Sequence, residues 1–438
     1  MFAILAQFDW LEPLTTPSGM RVMLVGALTN VACSLVGCFL VLRRMSLMGD
    51  AIAHAVLPGL VLAFLFSGSM NIVPLFIGAA AVGLLTTFLT QTLHQYGGVP
   101  TDASMGVVFT SLFALGVVIL KRNIGDEGIH FDVGCVYEGN LSHAAFRTFE
   151  FAGLQLPDQL ITVGPVVLLN LLVILLLWKE LKLSSFDPAL ATSMGYPATV
   201  MHYLLMALVA VTTVASFEAV GSILVIAMLI VPPATAHLLS DRLARMVALS
   251  CVFAVLAAVV GFWCSKIWNV ETAGAMTVVA GGFYGLAVLF SPKYGIVSTL
   301  VRNLQTTLRI FREDLLLMLY RVEEMDATRR LQPAEAVAAV GGGWLAHWAL
   351  VMLRRRGRLD LKEGRLHMTD DGRWRAARLV RGHRLWESYL VKHLGLPLDH
   401  VHEPAHRVEH FIGPRIRKQL EGAVDDAAKD PHGREIPG

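Results

Sequence analysis

The chain has 438 residues, of which 55% are hydrophobic and 16% are charged, with a formal net charge of +2. Soluble domains average roughly 25% charged residues, so the composition argues against an entirely water-soluble protein. The small net charge points to no class of partner. The sequence contains no GxxxxGK[ST] loop, which excludes ATP binding in the P-loop manner, and its five cysteines form no CxxC pair, so a thiolate zinc site is not indicated.

Apolar segments follow one another up to about residue 292, and each is long enough to cross a bilayer as a helix. We predict nine spans, at 20–42, 50–67, 72–93, 104–120, 160–181, 199–217, 219–238, 246–265 and 272–291. Beyond residue 302, Arg, Glu, Asp and His become frequent, which indicates a water-soluble domain. The predicted fold is an all-α polytopic membrane domain, residues 1–298, followed by a soluble domain, residues 299–438.

Short basic loops predict the orientation of the spans. With nine spans, one side collects Arg43, Arg44, Lys179, Lys182, Arg242, Arg245, Lys293 and Arg302. The positive-inside rule assigns that side to the cytoplasm, although Lys121, Arg122 and Arg147 oppose the assignment. We therefore expect a multi-pass protein of the bacterial cytoplasmic membrane, with the soluble domain in the cytoplasm and the connection 121–159, which contains GDEGIHFD, outside.

An ionisable pair occurs in the second predicted span, within RRMSLMGDAIAHAVLPG. Asp50 and His54 are four residues apart, so on a helix they share a face, as two ligands of a cation would. A carboxylate with an imidazole suits manganese, iron or zinc. The alternative is structural, with Asp50 capping the helix and His54 bonded to a neighbouring carbonyl group.

The segment LKLSSFDPALATSMGYPA, residues 181–198, interrupts two apolar spans with Pro, Gly and a short helix that Asp187 could cap. It predicts a compact cytoplasmic helix-turn element. An ordinary interhelical loop of this length is the alternative.

The soluble domain has the pattern of a winged helix-turn-helix. Residues 313–325 form an amphipathic helix pattern, residues 334–361 predict two further helices, and residues 364–375 predict a β-wing. A long helix over TDDGRWRAARLVRGHRLWESYLVKHLG and another over HEPAHRVEHFIGPRIRKQL follow.

Metal-ligand residues repeat at helical spacing in these last two helices. His383 and Glu387 share one face, and a second stripe contains His402, His406, Glu409 and His410. If the two stripes face each other, they could hold one or two ions, and imidazole with carboxylate suits manganese, ferrous iron or zinc. A solvated, His-rich helix pair is the alternative.

Over roughly residues 15–295, the chain resembles the membrane permease of ABC importers for zinc, manganese and iron. The resemblance is carried by three separated motifs in order, RRMSLMGDAIAHAVLPG, FDPALATSMGY and VGSILVIAMLIVPPATA. The resemblance implies a dimeric permease, paired with itself or with a paralogue, and an external metal-binding protein. It favours Asp50 and His54 as metal contacts on the permeation path. It also implies a cytoplasmic ATPase that supplies the ATP hydrolysis and docks on the second motif, at Phe186, Asp187, Pro188, Ala191 and Gly195.

The soluble domain, from about Glu313 to Gly438, resembles the metal-dependent repressors of iron and manganese uptake in RGHRLWE, VHEPAHRVEH and the closing DPHGREIPG. By position, the resemblance implies metal ligands at Asp314, His383, Glu387, His402, His406, Glu409 and His410. His406 stands where iron-type members have Cys and manganese-type members Glu, and Leu317 stands where the latter have a second acidic ligand.

DNA binding is not favoured, because the expected recognition helix, within GGGWLAHWALVMLRRRGRLD, offers Trp, Ala and Leu where base-edge readers need polar side chains.

We predict a non-enzymatic permease subunit of an ATP-driven importer for a divalent metal, with a fused domain that senses metal. The alternatives are a membrane-tethered, metal-responsive transcription regulator and an ion-coupled carrier without an ATPase.

Overall fold

The computed structural model describes residues 16–68, 72–124, 141, 146, 148–151, 154–424 and 429–437. The chain divides into two compact units, Met1–Ser298 and Thr299–Gly438. The first unit is almost entirely helical. Its elements are α1 (Pro17–Leu42), α2 (Met48–Ala55), α3 (Leu57–Ser67), α4 (Ile72–Gly97), α5 (Thr101–Ile124), β1 (Thr148–Phe151), β2 (Leu154–Pro157), α6 (Gln159–Leu176), α7 (Trp178–Phe186), α8 (Pro188–Ser193), α9 (Ala198–Leu239), α10 (Leu243–Trp268) and α11 (Thr272–Phe290).

Nine helical stretches within the described ranges have the length and apolar composition needed to cross a membrane. α2 and α3 together make the second, and α9 contains two, Ala198–Phe217 and Ala219–Leu239. The predicted number of spans is therefore confirmed. In α9 the regular helix is interrupted at Gly221, whose φ of 78° is in the region that favours glycine.

Helix α1 is the centre of the first unit, packed mainly against α9 and α10. Small residues allow this close approach: a Cβ built on Gly37 would clash with the carbonyl group of Leu229 in α9. Polar side chains are also buried here. Asn170 of α6 donates hydrogen bonds to Thr212 in α9 at 2.8 Å and to the carbonyl oxygen of Ala32 in α1 at 3.3 Å. These bonds tie three helices together in a lipid-compatible core.

Part of the predicted external connection 121–159 lies outside the described residues, including GDEGIHFD. Its described end forms an antiparallel hairpin of β1 and β2, in which Phe149 is opposite Leu156. The hairpin leads directly into α6.

The second unit begins within a long helix, and its remaining elements follow in winged-helix order. They are α12 (Ile296–Met325), α13 (Pro333–Ala339), α14 (Gly343–Arg355), β3 (Leu359–Lys362), β4 (Arg365–Met368), α15 (Asp370–Leu394), α16 (His402–Val408) and α17 (Pro414–Ala423). Leu315 and Leu319 of α12, Leu350 and Leu353 of α14, and Leu366 of the wing share one apolar core. The wing lies at 359–368, somewhat earlier than predicted, because Thr369 caps α15 and ends the extended segment.

The predicted single helix over residues 402–420 is wrong. The structure has α16, then a 3₁₀ turn at Glu409–Phe411, then α17 beginning at Pro414. Gly413 before that proline is extended, with φ −73° and ψ 172°. Proline lacks an N–H group and disfavours the α conformation in the residue before it, so the helix cannot continue through this point. Pro414 instead opens a new helix, where its missing N–H is harmless.

Candidate metal sites

The ionisable pair in the membrane unit lies on the short helix α2. His54 Nε2 is 3.3 Å from Asp50 Oδ1, and both side chains are about one-third exposed, at 37%. Phe109 and Phe113 of α5 lie against the His54 ring, at 5.8 and 6.3 Å between centroids. Asp50 is in the first turn of α2, but the residue at the cap position is Leu47, which makes no side-chain cap bond. The geometry presents two metal-ligand atoms together on a partly open face.

The predicted docking element forms the compact turn of α7 and α8. Asp187 separates the two helices and caps α8, accepting a hydrogen bond from the Leu190 N–H at 2.9 Å. Phe186, Pro188 and Gly195 are exposed, as are Leu190 and Met194, whereas Ala191 is fully buried. Ala191 therefore packs the element against its own unit, and the exposed apolar side chains around it form the available surface.

Arg43 fastens this element to the helix bundle. Its guanidinium donates to Ser185 Oγ at 3.1 Å and to Ser184 Oγ at 2.9 Å, both at the end of α7. It also lies 3.1 Å from Nδ1 of His202, in the first turns of α9. One half-buried side chain thus connects the end of α1, the docking element and the start of α9.

In the second unit, Glu387 is the centre of one ligand group. Its Oε1 accepts a hydrogen bond from His402 Nδ1 at 2.6 Å and lies 3.0 Å from His383 Nε2. The carboxylate is 2% exposed. Burial raises the pKa of Glu387, but the hydrogen bonds and charges of His383 and His402 outweigh it and hold the pKa below the ordinary value of a glutamate. The three ligand atoms lie within 4.8 Å of one another, a spacing that fits one ion.

Two residues that were not predicted as ligands complete this region. Asp430 and His432 form a further possible ligand group with Glu387, and the His432 ring stacks on His402 at 4.6 Å. Asp430 is buried and accepts hydrogen bonds from the backbone N–H groups of His432 and Arg434. Both belong to the closing DPHGREIPG motif, which lacks helical periodicity. Their residue types were the only available signal.

A second ligand group contains Asp314, His406 and His410, from α12 and from the segment around α16. Nε2 of His410 is 3.2 Å from Asp314 Oδ1. Within the described part of the chain, that buried oxygen receives no hydrogen bond. A buried carboxylate oxygen without a donor, facing two imidazoles, is an arrangement that a divalent cation would stabilise.

Glu313 also contacts this group and was not predicted. Its Oε2 accepts a hydrogen bond from His410 Nδ1 at 2.8 Å, and its Oε1 accepts one from Arg309 at 2.9 Å. Burial raises the pKa of Glu313, but the hydrogen bonds and charges of His410 and Arg309 outweigh this and hold the pKa below the ordinary value of a glutamate. The adjacent acidic residue in the sequence, Asp314, was selected by resemblance alone, so nothing distinguished Glu313 beforehand.

Glu409 remains a predicted ligand, because its side chain lies outside the part of the chain that the structure describes. Leu317, at the position of the second acidic ligand in manganese-type repressors, is buried in the second unit and supplies no ligand atom. The donor sets of all three groups are imidazole and carboxylate, without thiolate. They fit a first-row divalent metal of borderline or hard character.

Two protein-family models match the chain, one in each unit. Residues 17–291 match the family model of the ABC 3 transport family, and residues 369–438 match the iron dependent repressor, metal binding and dimerisation domain. The first match covers more than half of the chain. The protein is therefore a multi-pass membrane permease that belongs to the ABC 3 transport family, with a metal-dependent regulator domain fused at its C-terminal end.

The chain is 44% identical over 284 residues to the manganese transport system membrane protein MntD of Bacillus subtilis, covering 65% of this chain and 95% of that protein. It is 36% identical over 358 residues to the zinc transport system membrane protein TroD of Treponema pallidum, covering 81% and 96%. The solved structure of PsaBC from Streptococcus pneumoniae in complex with Fab is similar at 30% identity, with a TM-score of 0.53, covering 67% of this chain and 98% of that one.

Membership of this family defines the chain as a transport subunit and not an enzyme, because the ATPase of an ABC transporter is a separate subunit. Family membership also supports, in general terms, two kinds of partner for this chain: an ABC ATPase and a substrate-binding protein. Together with the match of the second unit, it supports binding of a divalent metal.

Proposed function

We propose that this chain is the permease of an ATP-driven importer of manganese, iron or zinc, and that its second unit senses the same metal in the cytoplasm and regulates transport. The observation that supports the transport role most directly is the Asp50–His54 pair, held 3.3 Å apart on a short helix of a membrane unit. Ionisable side chains within spans are costly and usually line a pathway. Two ligands bind a transition metal only weakly, which permits release, and a second permease protomer would supply further ligands from its own pair.

The coupling of transport to ATP hydrolysis is assigned to the α7–α8 element. Its exposed Phe186, Leu190 and Met194 form an apolar surface of the kind that a partner protein covers. Arg43 connects this element to α1 and α9. A force applied to the element by an ATPase would therefore reach the central helices of the bundle directly.

The experiment is metal uptake by proteoliposomes that contain the chain, its ATPase and its external binding protein. We expect ATP-dependent uptake that Asp50→Asn and His54→Gln abolish. Asp102→Asn, which changes an exposed carboxylate at the start of α5, is the matched control and should leave uptake unchanged. Uptake by the chain alone, without an ATPase, would overturn the proposal in favour of an ion-coupled carrier. Separate assays with manganese, ferrous iron and zinc identify the transported ion.

The regulatory role depends on the three ligand groups described in the second unit. A ligand shifts a conformational equilibrium only when it binds the two states with different affinities. We therefore expect metal supplied on the ATPase side to change the uptake rate of the wild-type chain. The combined substitution Glu387→Gln/His406→Ala/His410→Ala removes a ligand from every one of these groups, and it should abolish this response and leave uptake itself intact. A wild-type rate that is independent of metal on that side would overturn the regulatory role, while leaving the permease assignment in place.

A further inference from the structure

Helix α14, in the position of a recognition helix, presents two exposed tryptophans. Its inner face, with Ala346, Ala349, Leu350 and Leu353, is buried in the second unit. On the outer face, Trp344 and Trp348 lie one turn apart and are 68% and 55% exposed. Two adjacent exposed indole rings are unusual on a water-soluble surface and mark a site of interaction.

The same helix ends in a positive cluster. Arg354 and Arg355 are in the last turn, Arg356 is the residue that caps it, and all three are exposed. Among the described residues, no carboxylate forms an ion pair with any of the three. The surrounding charge is also positive: burial lowers the pKa of Arg312, and the charges of Arg356 and Arg358 lower it further. The outer face is thus apolar at one end and strongly cationic at the other.

This combination does not fit base recognition. Tryptophan offers a single N–H donor and cannot form the bidentate hydrogen bonds that read base edges in the major groove. It does fit the surface of an anionic bilayer. Trp is enriched at membrane interfaces because its ring is apolar and its N–H is polar, and clustered arginines are attracted to anionic headgroups.

The second unit follows the last membrane span after a short connection. The last span ends at Phe290, and the second unit begins at Thr299. A tether of this length makes membrane contact an intramolecular event with a high effective concentration, so that a weak lipid affinity is sufficient. We propose that the face formed by Trp344, Trp348, Arg354, Arg355 and Arg356 docks on the anionic headgroup layer of the membrane that the first unit spans.

The experiment is hydrogen exchange on the full chain, without other subunits, in nanodiscs of phosphatidylcholine or of an equimolar mixture with phosphatidylglycerol. The first four N–H groups of α14, at residues 343–346, have no intrahelical acceptor and exchange readily unless they are covered. We expect their exchange to be about tenfold slower in the anionic nanodiscs than in detergent. Trp344→Ser/Trp348→Ser should abolish this protection, and Arg354→Gln/Arg355→Gln should abolish its dependence on phosphatidylglycerol.

Trp374→Ser is the matched control, because Trp374 is an equally exposed indole on α15, with Arg378 over its ring. It should retain the protection of α14. The exchange of residues 375–390 within α15 reports whether each variant remains folded. Equal exchange of residues 343–346 in anionic nanodiscs and in detergent would overturn the proposal. Protection that arises only on adding duplex DNA, or only on adding the ATPase, would overturn it in favour of that partner.

Discussion

His410 and Glu313 form a hydrogen bond of 2.8 Å, between Nδ1 of the imidazole and Oε2 of the carboxylate, that leaves Nε2 directed at Asp314. A carboxylate that accepts a hydrogen bond from one ring N–H fixes the tautomer of the imidazole and leaves the other nitrogen available as a metal ligand. Arg309 holds Glu313 in place by donating to its other oxygen and to the His410 carbonyl group. Glu313 is thus positioned to orient His410, a proposed ligand of the second group.

Glu313→Gln is expected to weaken metal binding at the group of Asp314, His406 and His410 by about 10- to 100-fold, the usual effect of removing such a carboxylate. The measurement is calorimetry on the full chain carrying Asp50→Asn, so that the membrane pair does not contribute. Asp360→Asn, an exposed acid on the wing, is the control. Unchanged affinity in Glu313→Gln would show that the hydrogen bond does not orient the ligand.

The structural relationships in these sites show which features are readable from sequence. The pairs Asp50–His54 and His383–Glu387 are each four residues apart on one helix, and local geometry alone brings them together. The assignment of His402 to Glu387, and of His406 and His410 to Asp314, depends on the packing of three separate segments. Helical spacing selected these histidines as ligands but could not divide them between two groups.

Irregular segments hid the remaining features. Asp430 and His432 reach Glu387 from an extended segment, where periodicity carries no information. The Gly413–Pro414 pair could have been recognised in the sequence as a helix breaker. The helical spacing of the histidines before it favoured one continuous helix, and the break was therefore not predicted. The nine spans were predictable because lipid requires apolar side chains along each helix, which is the strongest pattern that a sequence can carry.

Glu387 lies in both ligand groups of its region, one with His383 and His402 and the other with Asp430 and His432. Glu387→Gln should therefore abolish metal binding there completely, because a neutral amide is a poor ligand and does not balance the charge of the ion. His402→Ala and His432→Ala separate the two groups. We expect the variant that removes a true ligand to bind metal more weakly. The other variant loses only the stacking of the two rings and should keep its metal affinity. Calorimetry on the Asp50→Asn background measures both affinities. If both variants retain wild-type affinity, neither histidine is a ligand.

Asp187 caps α8, and its loss should destabilise that short helix by about 1 kcal/mol. Asp187→Ala is expected to lower the ATPase activity that the permease stimulates in the assembled transporter, because the docking surface loses its fixed shape. Asp187→Asn retains a capping oxygen and should preserve activity. The measurement is ATP hydrolysis by the reconstituted complex, with binding of the ATPase followed by co-purification. Equal activity of Asp187→Ala and wild type would mean that the cap has no role in docking.

Arg43 is one of the residues that connect the proposed docking element, α7 and α8, to the rest of the membrane unit. Its guanidinium binds Ser184, Ser185 and His202 with three separate nitrogen atoms, a geometry that the single ammonium group of lysine cannot reproduce. Arg43→Lys should therefore uncouple the transporter: ATP hydrolysis continues, while metal uptake per ATP falls. Arg44→Lys is the matched control, because Arg44 is exposed. Measuring uptake and hydrolysis in the same proteoliposomes distinguishes the outcomes. A parallel loss of both in Arg43→Lys would indicate failed docking, and retention of both would show that Arg43 carries no coupling.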